Sequence, residues 1–191
     1  MYKLCKTEQS AARQRAIENA LLKKMDLVPF ESITITELCE KINIPRKAFY
    51  RYFGSKEDAL HGAIFHTMCD YKPYRESIAD GNGTFLIDEL ENFFKFWIEK
   101  KKILDVLKKN NMFSILFEAA VTFPLNDFIT IEKFLPKDSY NTRIRVFKFA
   151  LSGLISLMVE WYEDGFIPSP REMAILAKRL LSNPLFSFPN N

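Results

Sequence analysis

Apolar residues recur at steps of three and four along most of this chain, and no stretch of useful length alternates in the manner of a strand. The pattern predicts an all-α fold of about nine helices. Between Thr7 and Met25, the residues Ile17, Leu21 and Met25 stand four apart and mark the inner face of a first helix. Thr34 followed by Glu37 is a capping box, in which the hydroxyl takes one free backbone N–H and the carboxylate reaches back for another. A second helix therefore starts there, turns Leu38 and Ile42 inward, and stops near Asn43, a residue that tolerates the left-handed conformation. Pro45 suits a first helical turn, where its missing N–H would have had no partner. A third helix follows at once, with Ile44, Ala48 and Phe49 inside and Arg46, Lys47, Tyr50 and Arg51 on or near the outer face.

Ser55 with Asp58 is a second capping box, opening a fourth helix that runs through Leu60, Ile64 and Met68 toward a break at Pro73. After the turn cluster Asp80-Gly81-Asn82-Gly83, the series Leu86, Leu90, Phe93, Phe94, Trp97 and Leu104 predicts one long helix, with Lys100-Lys101-Lys102 as a solvated run. Shorter pieces are expected from Asn110-Asn111 to Asp138, broken at Pro124 and Pro136. Ile144, Phe147, Leu151, Leu154, Met158 and Trp161 then mark a helix ending near Gly165. Ser169-Pro170-Arg171-Glu172 opens the last helix with a cap, a first-turn proline and a reciprocating carboxylate, and Met173, Leu176, Leu180 and Leu181 give its apolar face.

Two short helices joined by a tight turn form a helix-turn-helix, whose second helix enters a DNA groove. The same pairing also occurs in all-α proteins that never meet DNA. Charge separates the two readings. Residues 1–56 hold 11 Lys or Arg against 6 Asp or Glu, whereas residues 57–191 hold 16 against 18. Positive charge is thus gathered on the segment that would face a polyanion.

Composition narrows the remaining classes. With 191 residues, 48% of them hydrophobic, the chain is long enough for a second helical unit with its own core and too apolar for disorder. The longest nearly apolar run, Phe149 to Val159, falls well below the roughly 20 residues that span a bilayer, and the N-terminus lacks the pattern of a signal peptide. No membrane association and a cytoplasmic location are therefore expected. Cys5, Cys39 and Cys69 are odd in number and widely spaced, which suggests neither a disulfide framework nor a zinc ribbon. His66, Cys69 and Asp70 share one helix face, but a metal site would need further ligands that no other motif offers, so packing is the expected role. No nucleotide loop or hydrolase motif occurs. The chain is expected to be no enzyme and to need no cofactor or metal.

Phe30-x-x-Ile33-Thr34-Ile35-x-x-Leu38-Cys39, followed by Phe49-Tyr50-Arg51-Tyr52-Phe53-x-Ser55-Lys56-Glu57, resembles the N-terminal domain of the TetR family of bacterial transcriptional regulators over about residues 8–60. The resemblance implies phosphate contacts from Thr34, Tyr50 and Lys56, and base reading by Arg46 and Lys47 with Thr36 as a further candidate. Arg51 and Tyr52 complete the expected DNA-binding set. The chain departs from the family pattern at Asn43, where Gly is usual, at Pro45, which replaces a capping Ser or Thr, and at Cys39, where Ala is common. The resemblance divides the chain into a DNA-binding domain, residues 1–54, and a helical regulatory and dimerisation domain, residues 55–191.

Gly153-Leu154-Ile155 and Trp161-Tyr162-x-x-Gly165 also resemble that family's C-terminal region, where two helices pair with their copies in a four-helix interface. The implied homodimer would use Phe147, Leu151, Leu154, Met158, Trp161, Leu176 and Leu180; the alternative is that these residues close the monomer core. The aromatic-rich middle of the chain reads either as plain core or as a pocket for an apolar or aromatic effector. The pocket candidates are Phe93, Trp97, Phe113, Phe117, Glu118 and Phe147, with Glu118, Arg143 and Tyr162 as its polar groups. The functional expectation is a homodimeric repressor of a pseudo-palindromic operator, released by such a ligand. The alternative is an activator or co-regulator of the same fold acting through a protein partner.

Overall fold

The computed structural model describes residues 7–78, 85–123, 135 and 137–182. Every regular element among them is helical: α1 (Glu8–Met25), a 3₁₀ turn (Phe30–Ser32), α2 (Ile35–Lys41), α3 (Arg46–Phe49), α4 (Lys56–Cys69), α5 (Tyr71–Ser77), α6 (Leu86–Glu99), α7 (Lys101–Lys109), α8 (Ser114–Thr122), α9 (Tyr140–Glu163) and α10 (Pro170–Ser182). The all-α expectation holds. The expected breaks at Pro124 and Pro136, and the residues Cys5, Phe128 and Phe134, lie outside the described residues.

The chain forms two compact units, the first running through Cys69 and adding Lys102–Ala119, the second comprising Asp70–Lys101 and the chain from Ala120 onward. In the first unit, α1 packs against both α2 and α4. The predicted face of α1, Ile17, Leu21 and Met25, is fully buried, as are Phe49, Leu60 and Ile64. Apolar burial at helical spacing stabilises this arrangement by about 1.5–3 kcal/mol for each large side chain.

In the second unit, α6 packs along α10, with α5 beside α6 and α9 beside α10. Phe94 of α6 meets Trp161 of α9 edge to face, ring centroids 5.3 Å apart. Arg171 in the first turn of α10 donates to Asp88 and Glu91 at 2.9 and 2.8 Å. Buried Glu89 accepts two bonds of 2.7 Å from Nε of Arg75, and its backbone carbonyl takes the hydroxyl of Tyr71 at 3.1 Å. Burial, reinforced by the charge of Glu89, pushes the Tyr71 phenol far above its ordinary range.

Three helices end by the same device. After α2, Asn43 (φ 53°) donates to the Glu40 carbonyl and Ile44 to that of Cys39. Asn111 and Met112 repeat the pattern after α7, and Gly165 and Phe166 repeat it after α9. These are Schellman motifs, in which a left-handed residue lets two orphan carbonyls be satisfied at once.

Two expected boundaries move. The long helix predicted from Leu86 through Leu104 is two helices, divided at Lys100, whose backbone leaves helical geometry (ψ 12°). Its ammonium lies 3.5 Å from Asp70 and 5.1 Å from the Phe96 ring centre, and that of Lys101 stands over Tyr162, so neither lysine is simply a solvated end. The break expected at Pro73 comes at Asp70 instead. Pro73 sits in the first turn of α5, where the N–H it lacks has no intrahelical acceptor.

Candidate nucleic-acid interface

The geometry of the helix-turn-helix follows from its caps. The Thr34 hydroxyl accepts the Glu37 N–H at 3.2 Å, and the Thr34 N–H donates to the Glu37 carboxylate at 3.1 Å, completing the predicted capping box. The backbone bond from Thr34 holds the Glu37 carboxyl below its ordinary range. At the other end of α2 the Asn43 motif turns the chain through Ile44 and Pro45 into α3, whose first bond runs from the Ala48 N–H to the Pro45 carbonyl at 2.8 Å. Asn43 thus does by side-chain tolerance what glycine does by lacking a Cβ. Phe49 and Phe53 point into the core, 5.7 Å apart by ring centroids. Cys39 is buried beneath the turn, and burial pushes its thiol up.

With Phe49 fixed inside, α3 and the residues after it present Arg46, Lys47, Tyr50 and Arg51 to the outside, all exposed. The Arg46 guanidinium donates to the Tyr50 hydroxyl at 3.4 Å, placing a planar cation and a phenol one helical turn apart on the same face. That bond favours the charged guanidinium further. Thr34 and Thr36 are exposed as well. These six side chains form an open cationic and hydroxyl-bearing surface of the kind that meets phosphates and base edges.

The other two expected DNA contacts are placed differently. Tyr52 is only 6% exposed and belongs to the core. Lys56 turns back into its own unit, where its ammonium donates to the carbonyls of Phe30, Glu31 and Ile33 at 2.8, 2.9 and 3.0 Å and stands over the Phe30 ring. Ser55 caps α4 by accepting the Asp58 N–H at 3.2 Å, while Asp58 reaches back to the N–H of Gly54. Of the trio weighed as metal ligands, His66 holds the buried Glu18 carboxylate at 2.9 Å, and Asp70 faces Lys100.

The residues expected to line an effector pocket do not share one unit. Phe93, Trp97 and Phe147 are buried in the second, where Phe93 and Trp97 are in edge-to-face ring contact. Phe113, Phe117 and Glu118 belong to the first, and Glu118 meets His61 at 3.1 Å. Arg143 is partly buried and Tyr162 buried, the latter packed on Phe166. A cleft of about 850 Å³ lies elsewhere, between α1 and α2, lined by Ala20, Lys23, Lys24, Leu38 and Lys41.

The residues expected at a dimer interface lie on the inner faces of α9 and α10. Phe147, Leu151, Leu154, Met158 and Trp161 are buried within a single chain, and Leu176 and Leu180 are partly buried. The Trp161 indole donates to the Pro168 carbonyl at 2.5 Å. Helical spacing identifies this face as the inner one, and within the single chain it is covered by the chain's own residues. The outward stripe of α9 instead carries Val146, Phe149 and Gly153, with Phe149 70% exposed, and α10 presents Ile175.

A capped, Schellman-ended helix followed by a short basic helix with an exposed outer face defines a helix-turn-helix protein. No protein-family model matches the chain, and no curated protein matches it in sequence. Solved structures do. The chain is similar to the dihydroxyacetone kinase operon activator DhaS, with 18% identity, a TM-score of 0.50, and coverage of 88% of this chain and 93% of that one. It is also similar to the fatty acid degradation regulator FadR from Bacillus halodurans, with 12% identity, a TM-score of 0.53, and coverage of 91% and 96%. The chain shares its all-helical fold with these two regulators. No described helix is long and apolar enough to cross a membrane.

Proposed function

We propose that this chain is a TetR-type transcription regulator that binds double-stranded DNA through α2 and α3 and acts as a homodimeric repressor at a pseudo-palindromic operator. The observation that carries the reading is the exposed surface of Arg46 and Lys47 on α3 and of Tyr50 and Arg51 just after it, a segment entered through the Asn43 turn. Arg46 and Lys47 would read bases. Thr34 and Tyr50 would contact phosphates. Residues 1–54 would form the reading head of the larger assembly.

The outward face of α9 supports dimerisation. Gly153 is exposed, and among the described residues a Cβ added there would meet no atom within 4 Å beyond its own stretch of helix. Glycine in a helix costs about 1 kcal/mol relative to alanine, and close approach of a second backbone is one use that offsets it. A two-fold pairing there would present two reading heads to half-sites about 34 Å apart.

The 18 phenylalanines support an apolar or aromatic effector over a polar one. Such a ligand releases the operator only if it binds the DNA-free arrangement more tightly. A second reading, activation of transcription, is favoured by the likeness to DhaS, an operon activator by name. Mobility shift with the chain's own upstream DNA tests the shared claim, and a reporter on that DNA separates the two signs. Falling output on expression supports repression, and rising output supports activation. Thermal-shift hits titrated into the protein–DNA complex test the effector, and hits that leave DNA affinity unchanged count against it.

A further inference from the structure

We infer that Lys56 and Asn110 are positioning residues that clasp the connection between α1 and α2 and so set the angle at which the helix-turn-helix meets DNA. This rests on the DNA-binding reading above. A lysine in the first turn of a helix is opposed by the helix dipole, yet Lys56 occupies that position in α4. Its ammonium has three protons, and three carbonyls of the 3₁₀ turn and its exit, Phe30, Glu31 and Ile33, converge on it within 3.0 Å. The ring of Phe30 lies beneath, 4.7 Å from the charge.

Asn110 holds the same connection from the opposite direction in the sequence. Its Oδ1 accepts the Phe30 N–H at 2.7 Å, and its Nδ2 donates to the carbonyls of Met25 and Val106 at 3.2 and 2.8 Å. Lys109 beside it donates to the Asp26 carbonyl. The Schellman motif at Asn111 fixes where Asn110 stands. Residues 25–33 are therefore fastened by side chains from α4 and from the end of α7, and Thr34, the cap that begins α2, follows directly. The ammonium's protons being directed at carbonyls, Lys56 governs DNA affinity through the placement of α2 and α3.

Salt dependence distinguishes positioning from direct contact. Removing one phosphate-binding side chain makes the plot of log K against log salt shallower by roughly 0.9, whereas misplacing the reading helices lowers affinity with the slope unchanged. The full chain and its upstream DNA are measured by fluorescence anisotropy over a salt series, with Lys56→Met, Lys56→Arg and Asn110→Ala. The expected result is about a 5- to 150-fold loss for Lys56→Met and Asn110→Ala, the range of ordinary coupling between sites, on lines parallel to the parent. Lys56→Arg should fail to rescue, because a planar guanidinium does not place three donors on converging carbonyls. A shallower Lys56→Met line with recovery in Lys56→Arg would make Lys56 a phosphate contact and overturn the inference, as would parental affinity in both variants. Amide exchange in the free protein reads the clasp without DNA. Faster exchange at Phe30 and Ile33 in the variants is expected, and unchanged exchange overturns the clasp. If exchange quickens but the parent binds no DNA, the DNA-binding reading fails, and the clasp's role in recognition fails with it.

Discussion

Truncating Phe149 to alanine probes the proposed dimer at its most exposed aromatic side chain. Fully burying a phenylalanine contributes about 1.5–3 kcal/mol, and Phe149 is 70% exposed in the single chain. Covering it would add roughly 1–2 kcal/mol for each protomer, and two-fold symmetry uses it twice, giving about 2–4 kcal/mol. At 1.4 kcal/mol for each factor of ten, the dimer should weaken by roughly 30- to 700-fold. Equilibrium sedimentation across a concentration series measures this directly. The thermal midpoint at high dilution should scarcely move, since the side chain touches little of its own chain. Gly153→Ala is the companion variant, expected to stabilise the diluted monomer by about 0.5–1 kcal/mol while weakening the dimer. A Phe149→Ala protein that self-associates like the parent would refute the interface on this face.

Other expectations rest on individual interactions. Thr34→Ala should cost about 0.5–2 kcal/mol in thermal unfolding. Because the folded Glu37 carboxyl titrates below the ordinary glutamate range, the stabilisation is present above that range and is lost as pH falls through the lower folded value; Thr34→Ala should flatten this acid limb. Arg75→Met leaves the buried Glu89 carboxylate without its cation and should cost about 3–5 kcal/mol in denaturant unfolding, with much of the stability recovered when Glu89 is also made apolar. Asn43→Val should destabilise by about 1–2 kcal/mol, because a β-branched residue is strained at φ 53°, whereas Asn43→Gly should be tolerated.

What is legible in the sequence is local. Thr34 and Glu37, Ser169 and Glu172, and Asn43 act on backbone within a few residues, so their spacing alone predicts the caps and the turn that the structure contains. The outward set on α3 follows from Phe49, an apolar residue that has to face inward. Lys56 is not legible, since its acceptors lie 23 to 26 residues earlier and a basic residue beside a DNA-reading motif suggests phosphate. Asn110 reaches Phe30 across 80 residues, and the sequence marks it only as the start of a helix break. Periodicity finds the buried stripe of α9 but does not say what covers it, and Phe149 lies off that stripe. The division at Lys100 carries neither glycine nor proline, so the pattern runs straight through it.

The central claim is that the surface of α3 reads DNA, and anisotropy of the parent and Arg46→Ala on the chain's own upstream DNA and on base-substituted versions tests it most directly. The account predicts sequence-selective, salt-sensitive binding by the parent. Arg46→Ala should cost about 1–3 kcal/mol and relax preference at one base pair in each half-site. A parent that binds no better to that DNA than to scrambled sequence, or an Arg46→Ala protein with unchanged affinity and preference, would contradict it.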